Sequence, residues 1–228
     1  GDHFKLDFQQ MIDLTRISVL VVRKLHPRAR VQVEIVQPWG GYHTGDRRSL
    51  PPLLYAEMLT QSGVPIDAFS LRVQMGSYKP GQDTRDLMAF SSMLDQYAML
   101  DRPISISGLG CPSEPLSPSE HPEQYAEPGR WRSGWNEQGQ ADWLSAYASV
   151  ALSKPYIESV CWHEFADPAK VTEMRSGGVL NKAFEPKPAL ARMRDLHDSL
   201  ADGRVPQRLS TMTMTGQAPA AASGTKMS

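Results

Sequence analysis

The sequence predicts an α/β fold built from parallel strand–helix units, and three observations support this prediction. Short β-branched segments with an alternating pattern, such as PISISGL at 103–109, alternate along the chain with longer segments of helical periodicity. The four strand–helix units follow one another at intervals of about 35–50 residues, which leaves room for parallel crossovers. The long loops follow strands, whereas the links from helix to strand are short. In such folds the carboxyl ends of the strands carry the functional site.

A helix comes first, at 8–25, with Asp7 available as its N-cap and His26-Pro27 as its stop. The strands are predicted at 31–37, 66–75, 103–109 and 157–165, and the helices that follow them at 50–62, 84–100, 140–153 and 186–200. Thr84 or Asp83 is the expected cap of the third helix. Residues 206–228 are rich in Ala, Ser, Thr and Gly and lack apolar periodicity, so we expect a disordered tail after a domain that covers 1–205.

The composition excludes several classes of partner. A net charge of -1 argues against a nucleic-acid or anionic-membrane surface, and no apolar run approaches the length of a bilayer span. The two cysteines, Cys111 and Cys161, cannot form a disulfide framework; buried free thiols are favoured over a single bridge. The chain begins with Gly instead of Met, so we expect a trimmed chain or a fragment of a longer protein.

The strand ends, taken in order, resemble the second half of the family 10 glycoside hydrolases, the xylanase-type (β/α)8 barrels. VCWHEFAD…GGVLNKAFEPKPAL is similar to that family's eighth strand, with its sugar-stacking tryptophan at Trp162, and to the start of its last helix. ARVQVEIVQ, IDAFSLRVQM and RPISISGLG are similar to the fifth, sixth and seventh strands. The resemblance implies the C-terminal half of a TIM barrel, strands five to eight, with the N-terminal half of the same barrel as its partner.

Two departures from the family pattern affect the expected function. Gly108 stands where the family's seventh strand ends in the nucleophilic glutamate, and the family's acid/base glutamate lies on the fourth strand, ahead of residue 1. Retaining glycosidases need two carboxyl groups about 5–5.5 Å apart. The resemblance therefore implies O-glycosyl hydrolysis of a β-linked, plant-type polysaccharide if the parent is active. The alternative is a glycan-binding or scaffold barrel that has lost the nucleophile.

The candidate catalytic group is Glu164, a carboxylate beside the aromatic Trp162, with Asp167 next to it. The candidate substrate-binding residues are Trp162, Arg72, Gln74, His163, Trp39 and Tyr42. Arg72 and Gln74 stand where the family has Gln and His. We expect Trp162, Glu164, Arg72 and Gln74 to project into one cavity; for Trp162 and Glu164, a core position and a solvated loop stay open as alternatives.

Four further residues carry weaker hypotheses. Glu34 lies within an apolar strand, so it either pairs with Arg72 or serves as a catalytic carboxylate. Trp131 and Trp135 add aromatic side chains to a rim loop, whereas Trp143 is expected in the core. No metal-ligand spacing or phosphate loop is present, so neither a metal nor a cofactor is predicted. The carbohydrate hypothesis favours an extracellular or periplasmic location without establishing one.

Overall fold

The computed structural model describes residues 6–41, 50–79, 81–115, 128–132, 134–168, 174 and 176–204. These residues form α1 Phe8–Leu25, β1 Gln32–Val36, α2 Pro52–Gln61, β2 Ala68–Gln74, α3 Leu87–Ala98, β3 Ile104–Gly110, α4 Glu137–Leu152, β4 Ile157–Trp162 and α5 Pro188–Ala201. The predicted α/β order, a helix first and then four strand–helix units, is confirmed. The predicted tail at 206–228 lies outside the described residues.

The strands form one parallel sheet in the order β1-β2-β3-β4. Glu34 of β1 pairs with Ser70 of β2, and Gln74 of β2 pairs with Gly110 of β3. Each neighbour in the sheet is also the next strand along the chain, as right-handed crossovers between parallel strands produce. The carboxyl ends of all four strands therefore lie at the same end of the sheet, which we call the rim.

One face of the sheet is covered by the helices. Leu71 and Val73 of β2 and Ile106 of β3 are fully or almost fully buried there, together with Phe90 of α3 and Tyr147 of α4. Trp143 of α4 is also fully buried and stacks on Tyr147 at 4.2 Å between ring centroids, which confirms its predicted core position. Because side chains alternate along a strand, the polar residues between these apolar ones project to the opposite face, which we call the inner face.

α3 and α4 start at residues other than those predicted, because Asp86 and Asn136 are their N-caps. Asp7 caps α1 as predicted, and its carboxylate accepts a hydrogen bond from the Gln10 amide at 2.8 Å. Asp86, and not Thr84 or Asp83, caps α3, and Asn136 starts α4 several residues earlier than expected. Each cap accepts from the amide three residues on, and this local bond fixes the helix start.

The strands end at residues other than those predicted. β1 and β2 end one residue early, at Val36 and Gln74, and β3 ends one residue late, at Gly110. β4 ends at Trp162 instead of continuing to 165. Within the described ranges, no helix is both long enough and apolar enough to cross a membrane.

Candidate functional site

An ion pair and a serine that is hydrogen-bonded to it join three strands on the inner face. Glu34 of β1 accepts from the Arg72 guanidinium on β2, at 2.5 Å from Nη2 and 3.4 Å from Nε. The Ser107 hydroxyl on β3 donates to the same carboxylate at 2.7 Å. The predicted pairing of Glu34 with Arg72 is present, and the neighbouring guanidinium compensates the charge of the carboxylate.

A register shift brings Ser107 and Gly108 to the inner face together. Leu71 pairs with Ile106 but Arg72 pairs with Gly108, so Ser107 is an extra residue in β3. Such a bulge turns two consecutive side chains toward one face. The inner face consequently gains the Ser107 hydroxyl beside Glu34, while Gly108 comes to lie beside Arg72.

His163 occupies the space that a side chain on Gly108 would need. A Cβ atom on Gly108 would lie 2.7 Å from Nδ1 of His163 and 3.2 Å from Cγ of Arg72. Real Cβ atoms essentially never come within 3.0 Å of such a neighbour. A side chain at position 108 would therefore have to displace the imidazole, which fills this space from the residue that follows β4.

A pair of glutamines lies where β2 meets the rim. The Gln82 amide nitrogen donates to Oε1 of Gln74 at 3.2 Å, and both residues are buried. Gln74 also approaches Gly110 on the inner face, where a Cβ atom would lie 3.8 Å from its Cγ. Gln82 thus orients the amide of Gln74 beside His163 and Arg72.

Trp162 lies on the helix side of β4, so the prediction that it faces a common cavity with Arg72 and Gln74 is wrong. Its ring meets Trp143 of α4 edge to face at 6.2 Å and packs on a cluster formed by α4, α5 and Val179. Its indole nitrogen donates to the Gly177 carbonyl at 2.8 Å. The alternation of side chains along β4 explains both placements, because His163 faces inward when Trp162 faces the helices.

Glu164 lies on the same side as Trp162, against the segment that leads into α5. Its Oε2 would be 2.8 Å from a Cβ atom on Gly177, and solvent does not reach this oxygen. The expected cavity shared with Arg72 and Gln74 is therefore wrong for Glu164 as well. The path of the loop after β4 sets the direction of this carboxylate, because Glu164 lies beyond the end of the strand.

Asp167 has a structural role beside these residues. It forms an ion pair with Lys187 at 2.6 Å, and the two side chains are only 8% and 2% exposed. Lys187 also donates to the Ser113 hydroxyl at 2.9 Å. A buried cation is stable only when paired in this way. The bond from Lys187 to Ser113 then joins the segment before α5 to the loop after β3.

The rim tryptophans pack more closely than expected from their loop positions. Trp135 is buried, and it crowds Gly76, where a Cβ atom would lie 2.7 Å from its ring. Trp131 meets Tyr147 edge to face at 5.3 Å. Trp39 is partly buried, with the Arg85 guanidinium 5.3 Å above its ring. Tyr42 lies outside the described residues.

Among the described residues, the cysteines form no disulfide and no cluster of possible metal ligands is present. Both cysteines are free: Cys111 is buried as expected, whereas Cys161 is exposed. Burial raises the pKa of the Cys111 thiol well above its ordinary value, and Lys187 opposes this only in part, so the thiol stays protonated. No group of three or more His, Cys, Asp or Glu residues in the described ranges could hold a metal ion.

Three features of the site escape sequence reasoning. The bulge at Ser107 and the contact between Gly108 and His163 depend on pairing between separate strands, and the support of Gln74 by Gln82 depends on the path of the loop after β2. The SGLG segment was the available signal, since consecutive small residues in a strand indicate a bulge or a close approach. It could not identify His163 as the neighbour.

The sequence matches no protein-family model and no curated protein. The fold, however, matches solved xylanases. It is similar to xylanase 10B from Thermotoga maritima, with a TM-score of 0.58 and 15% identity over 83% of this chain and 53% of that one. It is also similar to a thermostable mutant of Xyn10A from Cellvibrio japonicus, with a TM-score of 0.58 and 16% identity over 84% and 57% of the two chains.

A GH10 endoxylanase retrieved from a sugarcane soil metagenome gives a TM-score of 0.56 at 16% identity, over 79% of this chain and 53% of that one. The chain thus spans about half the length of the solved structures that it matches. At this identity the comparison establishes the fold, and it confirms at that level the predicted resemblance to family 10 glycoside hydrolases.

Proposed function

We propose that this protein is a glycan-binding barrel that binds a β-linked, plant-type polysaccharide or oligosaccharide on its inner face, near the rim, without hydrolysing it through position 108. The N-terminal half of the same barrel would supply the opposite wall of the site. The observation that carries this proposal is the contact between Gly108 and His163, because it places a polar imidazole where a nucleophilic carboxylate would stand.

The chemistry of the inner face suits sugar hydroxyl groups. Gln74 brings an amide oriented by Gln82, and His163 brings a ring nitrogen beside Gly108. Arg72 adds a guanidinium whose charge Glu34 balances. Amides, imidazoles and paired charges donate and accept hydrogen bonds in fixed directions, as recognition of a neutral, hydroxyl-rich ligand requires.

The same geometry disfavours the double-displacement chemistry of retaining glycosidases. That chemistry needs a nucleophile and an acid/base carboxyl about 5–5.5 Å apart. A carboxylate at 108 would collide with His163, and the Glu164 carboxylate lies against Gly177 on the helix side of β4. Binding without hydrolysis is therefore the preferred function.

Hydrolysis by the complete barrel is the second candidate, and Glu34 is the observation that favours it. Its carboxylate lies on the inner face, 34% exposed, with Arg72 and Ser107 as partners. The Arg72 guanidinium and the Ser107 hydroxyl fix the direction of this carboxylate, and a fixed carboxylate on the inner face suits a nucleophile. A second carboxyl group would have to come from the other wall.

Calorimetric titration with xylotetraose tests the binding proposal. We expect saturable binding of this β-linked probe, weaker binding of the α-linked maltotetraose, and about a tenfold loss of affinity in His163→Ala. Asp198→Ala is the matched control, because this side chain is 74% exposed on α5. The absence of xylotetraose binding to wild-type protein with a cooperative thermal transition would refute the proposal.

Release of reducing sugar from xylan by the complete barrel separates the two candidates. We expect none from the complete barrel or from its Gly108→Glu variant, since the added carboxylate would meet His163. Hydrolysis by the complete barrel that is lost in Glu34→Gln would establish the second candidate instead.

A further inference from the structure

Two buried glutamines at the rim leave one hydrogen-bond donor and one acceptor unpaired. Gln74 and Gln82 are 4% and 3% exposed, and a single bond of 3.2 Å, from Nε2 of Gln82 to Oε1 of Gln74, joins their amides. Within the described part of the chain, Nε2 of Gln74 and Oε1 of Gln82 have no hydrogen-bond partner. Buried polar atoms of native proteins are almost always paired, so these two atoms indicate a group that comes from outside these residues.

The two unpaired atoms restrict the chemistry of that group. Each is attached to the same carbon as one end of the bond between the amides, so the two atoms lie near each other. The group must accept from the Gln74 amide and donate to the Gln82 carbonyl oxygen. An ionised carboxylate only accepts and an ammonium group only donates, whereas a hydroxyl does both. The pair is therefore complementary to a neutral hydroxyl, from a sugar or from water.

The backbone fixes the position of Gln82 independently of its bond to Gln74. The Gln82 amide donates to the Lys79 carbonyl at 3.0 Å, and the Ser77 amide donates to the Gln82 carbonyl at 3.1 Å. These two bonds close the loop after β2 into a turn. Because the turn holds Gln82 from its own backbone, the side chain is presented to the inner face in a fixed place.

The other side of this turn meets strained backbone. Gly81 has a φ of +82°, and a Cβ atom there would lie 3.1 Å from Oε1 of Gln37, on the loop after β1. Gln37 itself has a φ of +58°, in the left-handed region that residues other than glycine rarely adopt. Strained backbone is concentrated at functional sites. Its presence next to Gln82 agrees with a binding role for this part of the rim.

The Gln74 side chain lies on the inner face, the surface proposed to bind the glycan. Gly110 pairs with Gln74, and a Cβ atom there would meet only ordinary contacts, 3.5 Å from Cβ of His163 and 3.8 Å from Cγ of Gln74. The glycine therefore leaves space between these two side chains. Solvent does not reach the unpaired atoms in this arrangement, so a hydroxyl reaches them through rotation of the two amides about their terminal torsions, which have broad minima.

We propose that Gln82 is a specificity-determining residue, and that Gln82 and Gln74 together bind one hydroxyl group of the glycan. The hydroxyl oxygen accepts from Nε2 of Gln74, and the hydroxyl proton is donated to Oε1 of Gln82. An ether or ester oxygen has no proton to donate, so the pair selects a chain that is unsubstituted at this hydroxyl. The inference rests on the proposed function, and it adds Gln82 and a chemical group to that site.

Calorimetric titration with xylotetraose tests the role of Gln82. We expect about a tenfold loss of affinity in Gln82→Met, which keeps the length of the side chain and removes its acceptor. Gln96→Met is the matched control, since this glutamine is exposed near the end of α3, and it should change the affinity by less than about twofold. Equal affinities of wild type and Gln82→Met would overturn the inference.

Side-chain amide NMR of isotope-labelled wild-type protein distinguishes a sugar hydroxyl from water. The Gln74 signal is identified by its loss in Gln74→Leu, and xylotetraose should shift it to lower field as the new hydrogen bond forms. An unchanged Gln74 signal, while xylotetraose shifts the backbone signals of His163, would mean an internal water only. That result would overturn this inference and leave the proposed function standing, whereas no binding of xylotetraose to the wild type would overturn both.

Discussion

The central and edge strands of the sheet have different surroundings. In β2 every residue except Arg72 is buried, and in β3 every residue except Ser107. In β1 only Ile35 is buried, and in β4 no residue is. The content of β-branched residues does not explain the difference, since valine and isoleucine make up three of five residues in β1 but only two of seven in β3. A strand is buried when it has a neighbouring strand on each side. β1 and β4 have the apolar sequences of internal strands, but each has only one neighbouring strand among the described residues.

The largest expected effect compares matched truncations in the two kinds of strand. Leu71→Ala in β2 should lower the free energy of unfolding by about 2–5 kcal/mol, because it leaves a cavity at a fully buried position. Val36→Ala in β1, at a position that is 43% exposed, should cost less than about 1 kcal/mol. Urea unfolding monitored by circular dichroism measures both, and similar losses would mean that β1 is covered in solution.

A double-mutant cycle tests the contact between a central strand and an edge strand. Gly108→Ala alone should cost about 1–3 kcal/mol, because its Cβ atom would lie 2.7 Å from His163. In a His163→Ala background the same change should cost far less, since the space is then open. Additive losses in urea unfolding would show that the imidazole lies elsewhere.

Asp67 gives a pH-dependent test of how the first edge strand is held. It accepts from the Val31 amide and from Arg23 of α1, both at 2.6 Å, and these bonds hold its pKa below the ordinary value. A lowered pKa contributes stability above the unfolded-state pKa, and that stability is lost as the pH falls through the folded-state value. Asp67→Asn should therefore be less stable than wild type at neutral pH, by less than about 1 kcal/mol for a carboxylate 35% exposed.

The measurement for Asp67 is a series of urea unfolding curves from neutral to acidic pH. The difference between wild type and Asp67→Asn should shrink as the pH falls below the ordinary carboxyl range. A difference that does not change with pH would assign the loss to packing instead of charge.

The smallest expected effect concerns the ion pair that joins the two edges. Glu158→Gln removes the partner of Arg30, and both side chains are more than a third exposed. The loss should be below about 1 kcal/mol and should decrease further at high salt. Salt-dependent Tm values for wild type and Glu158→Gln provide the test. A loss as large as that of Leu71→Ala would mean that this pair is screened from solvent by a neighbouring unit.

Regular spacing, within one element or between two neighbouring strands, accounts for the predictions that succeeded. Helical periodicity placed α1 over 8–25, and alternation placed the strands close to their observed bounds. Asp7 was identified as a cap because it lies just outside its own helix, and Glu34 was paired with Arg72 because neighbouring strands bring alternate residues side by side. Both interactions follow from a regular residue spacing, along one helix for Asp7 and between two paired strands for Glu34 and Arg72.

The sequence by itself determined the order of the helices and strands, because local backbone preferences and apolar periodicity are properties of short segments. Only the tertiary structure decided that His163, and not Trp162 or Glu164, faces the inner face beside Arg72. The register shift at Ser107 and the path of the chain after β4 depend on packing between distant segments. A change of one residue in register reverses the face to which every later side chain points, and no pattern within a single strand records that change.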